Sequence, residues 1–348
     1  MTTSAASTKP TTILRFGPIG FAQEAWSNLS KNYNVKIVES EATGREEFLK
    51  ELRSGKYKDV DYITRTFESV KQTGLVDKEL LTELTKNTQL KAISHNGAGY
   101  DQVDAVACGD LNIQLSNVPS AVDDATADTN IYLMIGALRN FGDSQLRIQK
   151  GLWNKGGKCG GTAIGHDPEH KVLGILGMGG IGRAVRDRAK PFGFSKIIYY
   201  NRRQLSAELE GGAEYVSFDD LLAQSDVISI NIPLNPNTKH TINAETIAKM
   251  KDGVCIVNTA RGPIIDESAL IPALKSGKVS SFGADVFENE PNVNMELIQL
   301  PNVISLPHMG THTVETMKEM EEVVVSNVSN YLDTGKVKFI VPELKSKF

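Results

Sequence analysis

The chain has 348 residues, of which 40% are hydrophobic and 23% are charged, a composition typical of globular proteins. Its net charge of −4 argues against a nucleic-acid or anionic-membrane surface, and no run approaches the 18 apolar residues that span a bilayer. Its three cysteines lack C-x-x-C spacing, which excludes a disulfide framework or a cysteine-based metal site. A chain of this length typically folds as two domains.

The first third of the chain alternates apolar and polar segments. Residues 1–12 predict a frayed tail, since they contain Ser, Thr and Ala but no apolar block. Short apolar runs that predict strands occupy residues 13–16, 35–38, 62–63 and 90–94, and polar stretches that predict helices occupy residues 46–53 and 77–85. This alternation indicates a parallel sheet covered by helices on both faces.

A turn-rich break at residues 117–120 separates this part from a second run of alternating segments. A long helix is predicted over 123–139 and a long loop over 154–168, and strands are predicted over 171–176, 196–200, 227–232, 254–258, 282–286 and 303–306. The last helix, over 314–332, ends at Asp333-Thr334-Gly335, and a short strand over 339–341 folds back onto the first domain. The predicted domains are therefore 1–118 with 315–348, and 119–314.

The segment Gly177-Met178-Gly179-Gly180-Ile181-Gly182 matches the pattern G-x-G-x-x-G and lies between a predicted strand and a predicted helix. Strand, glycine turn, helix and strand within about 30 residues is the context that the dinucleotide-binding fingerprint requires. The first glycine permits the tight turn, the second lets a pyrophosphate approach the backbone, and the third lets helix pack on strand. The free N–H groups of the helix N-terminus would bind the phosphates. The segment predicts a nucleotide cofactor site.

The residues after the second strand of this unit indicate which cofactor is preferred. Sites that prefer NAD usually carry Asp or Glu there, which accepts hydrogen bonds from the ribose 2′-hydroxyl. This chain has Asn201-Arg202-Arg203, and guanidinium groups bind phosphate through paired donors. The sequence therefore predicts NADPH as the preferred cofactor, with NADH possible if the arginines are only a solvated loop.

Three ionisable residues follow predicted strands of the second half, at the sheet edge where ligands collect in open α/β folds. Arg261 suits the binding of a substrate carboxylate, and His308 suits the protonation of a developing alkoxide. Glu290 would favour the protonated imidazole if it reached the other ring nitrogen, and Asp285 could accept a hydrogen bond from a nicotinamide carboxamide. The alternative is that the histidine is structural and the arginine caps its strand.

Together these stretches resemble the D-isomer-specific 2-hydroxyacid dehydrogenases over nearly the whole chain, and among them the fungal glyoxylate reductases. The similarity includes residues 95–101, the glycine turn and the segments 258–262, 285–291 and 307–313. The resemblance implies Arg261, Glu290 and His308 as the catalytic set. It also implies that Ala98 and Gly99, together with Arg261 and His308, bind the substrate.

The resemblance extends the predicted cofactor site beyond the glycine turn. The predicted cofactor contacts are Gly177, Met178, Gly179, Gly180, Ile181, Gly182, Asn201, Arg202, Arg203, Pro233, Thr238, Thr259, Ala260, Asp285, His308 and Gly310. The fold class is α/β with two doubly wound parallel-sheet domains, a Rossmann-like cofactor domain and a flavodoxin-like substrate domain. Family members are typically homodimers, with the helix that begins near Asp123 in the contact. No metal site is implied.

The leading hypothesis is NADPH-dependent reduction of small 2-keto acids, glyoxylate and hydroxypyruvate, to D-2-hydroxy acids. Bulkier 2-keto acids such as phenylpyruvate are the close alternative, because sequence does not show the width of the pocket. A non-catalytic NAD(P)-sensing protein is the distant alternative, since fold does not determine function. We expect a cytoplasmic protein without nucleic-acid or membrane partners, or a peroxisomal one if Ser346-Lys347-Phe348 is read as a targeting signal.

Overall fold

A computed structural model describes residues 9–348 of the chain. The chain divides into two compact units, of which the first comprises Met1–Val122 and Thr313–Phe348 and the second comprises Asp123–His312. Residues 1–8 of the predicted frayed tail lie outside the described residues. The prediction is wrong at Thr11 and Thr12, which already belong to the first strand. Thr12 is buried there, and its N–H donates to the Asp61 carboxylate at 3.0 Å.

Strands and helices alternate along most of the chain. The strands are β1 (Thr11–Arg15), β2 (Val35–Glu39), β3 (Val60–Thr66), β4 (Ala92–Asn96), β5 (Gln114–Ser116), β6 (Val172–Leu176), β7 (Lys196–Tyr200), β8 (Glu214–Tyr215), β9 (Val227–Ile230), β10 (Val254–Asn258), β11 (Val279–Ala284) and β12 (Val303–Ser305). The helices are α1 (Gln23–Asn32), α2 (Arg45–Arg53), α3 (Val70–Thr73), α4 (Lys78–Asn87), α5 (Ala105–Asp110), α6 (Asp123–Leu138), α7 (Phe141–Gln149), α8 (Gly180–Ala189), α9 (Ala207–Glu210), α10 (Phe218–Gln224), α11 (Ala244–Lys249), α12 (Glu267–Ser276), α13 (Met295–Ile298) and α14 (Val314–Thr334).

The first unit is built on a parallel sheet of five strands in the order β2-β1-β3-β4-β5. This is the flavodoxin-like doubly wound order. Its core contains Leu14 from β1, Ile63 from β3 and Ile93 from β4, and helix side chains such as Phe48 and Leu80 pack against them. The flavodoxin-like prediction for this part of the chain is confirmed.

The C-terminal segment returns to this first unit after α14. Residues 339–341 do not form the predicted strand, because only a single antiparallel bridge joins Ile340 to Ser116. The Val341 N–H donates to the Leu115 carbonyl at 3.0 Å, so the segment lies beside β5. The final residue, Phe348, is partly buried against the core of the same unit. Whether an import receptor reads the last three residues stays a prediction.

The second unit is built on a parallel sheet of seven strands in the order β12-β11-β10-β9-β6-β7-β8. Its strand order is that of a Rossmann fold with one additional edge strand. The strand order reverses between β6 and β9, and ligands bind outside the carboxyl ends of the strands at such a point. The Rossmann-like prediction is confirmed.

Both faces of this second sheet are covered. All five residues of β10 are buried. Val254 and Ile256 pack into one core cluster, while Cys255 and Val257 pack into the cluster on the opposite face. A strand buried on both faces has a continuous apolar sequence, which is why this strand was predicted with its observed bounds.

Within residues 9–348, no helix has both the length and the apolar character needed to cross a membrane.

Candidate active site

The glycine turn after β6 has the conformation that the sequence predicted. Gly177 has φ +98°, a left-handed backbone conformation that residues other than glycine rarely adopt. A Cβ on Gly182 would lie 2.1 Å from the Gly177 carbonyl oxygen, so a side chain there would separate helix from strand. A Cβ on Gly179 would meet nothing within 4 Å, which leaves this backbone accessible to a ligand. The three glycines therefore occupy the three positions that a dinucleotide turn requires.

Helix α8 begins directly after this turn, and no side chain caps its N-terminus. Uncapped N–H groups at a helix N-terminus, together with the helix dipole, favour a bound anion. The Met178 N–H is used differently, since it donates to Asn201 Oδ1 at 2.7 Å. Asn201 therefore holds the glycine turn against the end of β7. This arrangement fits the phosphates of a dinucleotide.

Asp123, the first residue of α6, is a feature of this turn that the sequence interpretation did not assign to the site. A Cβ on Gly180 would lie 1.8 Å from Asp123 Oδ2, so the carboxylate lies directly against the glycine. Burial raises the pKa of Asp123, and the positive charge of Arg183 acts in the opposite direction. A side chain at position 180 would displace the Asp123 carboxylate. No local pattern could reveal this contact, since 57 positions separate the two residues.

The predicted contacts beyond the turn follow β7 and β9. Arg202 and Arg203 are exposed directly after β7, where they are available to a ligand. The loop after β9 is closed by Thr238, whose hydroxyl donates to the Pro233 carbonyl at 2.7 Å and accepts from the Asn235 N–H at 2.8 Å. Pro233 and Thr238 are therefore held in one local turn at the carboxyl edge of the sheet.

His308 and Glu290 are in direct contact. The distance from His308 Nδ1 to Glu290 Oε2 is 2.7 Å, although the residues follow different strands, β12 and β11. The other oxygen of Glu290 accepts the Phe287 N–H at 2.8 Å. Burial opposes ionisation of Glu290, but the hydrogen bond and positive charge of His308 hold its pKa below the ordinary value. An ionised carboxylate only accepts hydrogen bonds, so Nδ1 carries the proton of this contact.

Arg261 follows β10, the strand next to β11, and its positive charge also lowers the pKa of Glu290. Its turn is held by Asn258, whose Oδ1 accepts the Ala260 N–H at 3.0 Å and whose Nδ2 donates to the Arg261 carbonyl at 2.9 Å. The sequence interpretation did not assign this positioning role to Asn258. The signal was present, because a buried Asn at the end of an apolar strand requires hydrogen-bond partners.

Asp285, at the end of β11, organises the segment that carries the histidine. Its Oδ1 accepts the Met309 N–H and its Oδ2 accepts the Gly310 N–H, each at 2.8 Å. Its carbonyl accepts the His308 N–H at 2.8 Å, which helps to hold His308 at φ +53°. Burial raises the pKa of the Asp285 carboxyl, and the two backbone donors partly offset this effect. Each oxygen retains a lone pair that could accept from a carboxamide.

Ala98 and Gly99, the predicted substrate contacts, lie in the first unit, in the loop after β4. The Ala98 carbonyl accepts from Asn117 Nδ2 at 2.8 Å, which holds the loop. Neither the Ala98 nor the Gly99 N–H donates a hydrogen bond within the described part of the chain, so both are available to an anion. Over residues 9–348, no group of three or more His, Cys, Asp or Glu side chains is arranged to hold a metal ion.

Comparison with known proteins places this site in a family. Residues 131–310 match the model of the D-isomer specific 2-hydroxyacid dehydrogenase NAD-binding domain. The chain is 51% identical over 337 residues to glyoxylate reductase 1 of Saccharomyces cerevisiae, covering 96% of this chain and 95% of the relative. It is 50% identical over 335 residues to 4-methyl-2-oxopentanoate reductase A of Aspergillus oryzae, covering 96% and 99%.

Solved structures agree with this match. A glyoxylate reductase from Paecilomyes thermophila superposes with a TM-score of 0.91 at 50% identity, covering 97% of this chain and 99% of that one. An NADPH-dependent glyoxylate/hydroxypyruvate reductase from Sinorhizobium meliloti, in complex with NADP and malonate, superposes at 0.82 with 26% identity, covering 96% and 98%. The alternative of a non-catalytic sensor is set aside. The chain belongs to the D-isomer-specific 2-hydroxyacid dehydrogenase family and is an NAD(P)-dependent oxidoreductase.

Proposed function

We propose that this enzyme reduces small 2-keto acids, glyoxylate and hydroxypyruvate, to D-2-hydroxy acids with a preference for NADPH. The observation that carries the proposal is the 2.7 Å contact between His308 Nδ1 and Glu290 Oε2, beside the positive charge of Arg261. These are the proton donor, its partner and the cation that reduction of a keto acid requires. Their side chains come from the turns after three neighbouring strands, β12, β11 and β10.

His308 and Glu290 divide the proton chemistry between them. The Glu290 carboxylate accepts from Nδ1 and stabilises the protonated imidazole, which places the transferable proton on Nε2. His308 then protonates the alkoxide oxygen that develops as the carbonyl is reduced. The 2.7 Å hydrogen bond also fixes the orientation of the ring, which reduces the conformational freedom lost during reaction.

Arg261 binds the anionic substrate. Its planar guanidinium group can donate two parallel hydrogen bonds to a carboxylate or polarise the carbonyl oxygen that gains charge. Asn258 holds the turn that carries it through hydrogen bonds to both Ala260 and Arg261. When bound, the nicotinamide cofactor supplies the hydride. The open backbone at Gly179 and the uncapped N-terminus of α8 fit its pyrophosphate.

Two substrate classes remain in competition. The relatives at 51% and 50% identity are named for glyoxylate and for 4-methyl-2-oxopentanoate, so their near-equal similarity supports both a small and a bulkier substrate. The glyoxylate reductase structure that covers 97% of this chain favours the small substrate. We therefore retain a bulkier 2-keto acid, such as 4-methyl-2-oxopentanoate or phenylpyruvate, as the second candidate.

A direct rate comparison tests the proposal. Initial rates of NADPH oxidation are measured with glyoxylate, hydroxypyruvate, 4-methyl-2-oxopentanoate and phenylpyruvate, and repeated with NADH. We expect the highest kcat/KM for glyoxylate or hydroxypyruvate with NADPH. Faster reduction of the two bulky acids than of the two small ones would keep the same mechanism but favour a bulkier 2-keto acid as the substrate. Absence of oxidation with every acid and both cofactors would contradict the proposed activity.

Arg202 and Arg203 support the preference for NADPH. Both are exposed after β7, in the place where an acidic residue would otherwise bind the ribose and repel a 2′-phosphate. Two guanidinium groups can bind that phosphate through charge-assisted hydrogen bonds. The complex of the Sinorhizobium meliloti enzyme with NADP is consistent with this preference.

Replacing both arginines tests this preference. We expect the Arg202→Gln/Arg203→Gln variant to raise the Michaelis constant for NADPH by about tenfold or more, because hydrogen bonds to a charged group are lost. The Michaelis constant for NADH should change far less. Arg53→Gln, at an exposed arginine of α2 in the first unit, serves as the control. An equal rise of the Michaelis constants for NADPH and NADH would show that the arginines do not bind the 2′-phosphate.

A homodimer is part of the proposal, with the region around α6 and α7 as its contact. Helix α7 has no buried residue, yet it exposes Phe141, Leu146 and Ile148. Trp153 and Ile164 are exposed in the loop that follows, with Ile164 at 96%. Apolar side chains grouped in this way are typical of a surface that associates with another protein, and a second copy of this chain is the proposed occupant.

Charge in this surface should separate the subunits. We expect the Leu146→Asp/Ile148→Asp variant to have half the wild-type mass in light scattering, since it places two charges in the contact. Val106→Asp, at an exposed apolar residue of α5, is the control. A wild-type protein that is monomeric at micromolar concentration would exclude the dimer.

A further inference from the structure

A chain of buried and partly buried polar side chains crosses the second unit beneath its carboxyl edge. We refer to Asn130, Ser229, Asn231 and Thr259 as the Asn130 network. Asn231 Nδ2 donates to Ser229 Oγ at 2.9 Å, Ser229 Oγ donates to Asn130 Oδ1 at 3.1 Å, and Asn130 Nδ2 donates to Thr259 Oγ1 at 2.9 Å. The network joins β9, α6 and the turn after β10.

One contact fixes the orientation of the Asn231 amide at the start of this network. Asn231 Nδ2 also lies 3.2 Å from the Ser229 carbonyl oxygen, which can only accept, so the amide nitrogen must face Ser229. Ser229 Oγ therefore accepts from Asn231, and in the structure it donates its own proton to Asn130 Oδ1 at 3.1 Å. The Asn130 amide then presents its nitrogen to Thr259. Because Thr259 Oγ1 accepts from Asn130, its hydroxyl proton is left to donate elsewhere.

Burial makes the hydrogen bonds of this network energetically important. Asn130 and Ser229 are completely buried, and apolar side chains such as Leu133 and Val257 form the core around their elements. A buried amide without partners would be costly, so a polar network in such a core specifies one arrangement. Asn231 Oδ1 is buried without a hydrogen-bond partner among the described residues. The orientation of Asn231 thus leaves one acceptor unsatisfied while keeping Nδ2 on Ser229.

Thr259 is the end of the network nearest to the proposed chemistry. It lies two residues before Arg261, and no acceptor for its hydroxyl proton is found within the described part of the chain. The preceding residue, Asn258, ends β10 and is bonded to the end of the neighbouring strand β11, because the Asp285 N–H donates to the Asn258 carbonyl at 3.0 Å. A directed donor at this position suits an oxygen atom of a ligand.

We propose that Asn130 is a positioning residue, which orients the Thr259 hydroxyl so that it donates to an oxygen on the nicotinamide half of the bound cofactor. Asn130 itself touches no ligand in this proposal and acts only through Thr259. The inference rests on the proposed function in one respect, namely that a nicotinamide dinucleotide binds at this edge. It adds a hydrogen-bond donor whose direction comes from a helix in the interior.

Cofactor affinity tests the inference without turnover. NADPH is titrated into Thr259→Val, Thr259→Ser and Asn130→Leu variants, and its dissociation constant is obtained from nucleotide fluorescence. We expect Thr259→Val to raise the dissociation constant about 3- to 10-fold, the range for one lost hydrogen bond. Thr259→Ser keeps the hydroxyl and should retain near wild-type affinity. Adenosine 2′,5′-bisphosphate, which lacks the nicotinamide half, should bind all variants as it binds the wild type.

The double variant separates positioning from a purely structural effect. If Asn130 acts through Thr259, Asn130→Leu raises the NADPH dissociation constant in the wild-type background but adds little to Thr259→Val. Additive effects would overturn the inference. If Asn130→Leu does not fold, the comparison of Thr259→Val with Thr259→Ser tests the inference. Equal NADPH affinities for these two variants would overturn the inference, because the hydroxyl would then make no contact with the cofactor.

Failure of the inference is distinguishable from failure of the proposed function. A wild-type enzyme that binds NADPH but reduces none of the keto acids would remove the proposed function and leave the inference standing. A wild-type enzyme that binds neither NADPH nor NADH would overturn both.

Discussion

Substitution of His308 by asparagine is expected to lower kcat for glyoxylate reduction by roughly 10²- to 10⁴-fold, the usual effect of losing a general acid. Asparagine is chosen because it tolerates the left-handed backbone that His308 adopts at φ +53°. The side chain can occupy the same turn but cannot transfer a proton. Steady-state rates with saturating NADPH measure the effect.

His312→Asn is the matched control, since His312 is exposed and lies four residues further along the chain. Its rates should remain at the wild-type level.

Glu290→Gln provides a second readout, because it removes the negative charge that stabilises the protonated imidazole. We therefore expect its reduction rate to fall at a lower pH than in the wild type. An unchanged rate in His308→Asn would mean that another group donates the proton.

Substitution of Gly182 by alanine is expected to impair both folding stability and cofactor binding. The added Cβ would lie 2.1 Å from the Gly177 carbonyl oxygen, so the backbone of the turn must move. Overpacking of this kind costs about 1–3 kcal/mol or more, which corresponds to a Tm lower by several degrees. Because we propose that the same turn binds the pyrophosphate, we expect the NADPH dissociation constant to rise at least about tenfold.

Gly179→Ala separates these two effects within the same turn. A Cβ there meets nothing within 4 Å and the backbone has φ −71°, so the free energy of unfolding should stay near that of the wild type. Its methyl group would nevertheless occupy the approach to the backbone, and NADPH affinity should fall. Normal stability and normal affinity in both variants would contradict the assigned role of the turn.

Most strands of the second unit were predicted because they are short apolar runs between turn residues, although β11 begins three residues before the predicted strand 282–286 and ends two residues before that strand does. The predicted bounds of the strand at 254–258 coincide with β10, and those at 196–200 coincide with β7. The glycine turn was also predictable, since the close approach of Gly182 to the Gly177 carbonyl lies within one strand–turn–helix segment. Local patterns sufficed where the physical cause was local.

Elements without an apolar run were missed. β5 and β8 are only three and two residues long and contain polar side chains, so neither has a detectable periodicity. The segment at 339–341 has an apolar pattern but lies beside β5 with only a single bridge. Whether such residues pair depends on the neighbouring strand and not on their own composition.

The sequence by itself determined the cofactor turn, the α/β class and the types of residue available for chemistry, because these depend on spacing along one segment. Only the tertiary structure decided which of those residues meet. The contact between Glu290 and His308 joins residues from two strands, and that between Asn130 and Thr259 spans 129 positions. A hydrogen bond requires its two atoms to lie about 3 Å apart. For residues so distant in the chain, that separation is set by the order of parallel strands in the sheet and by the packing of α6 against it.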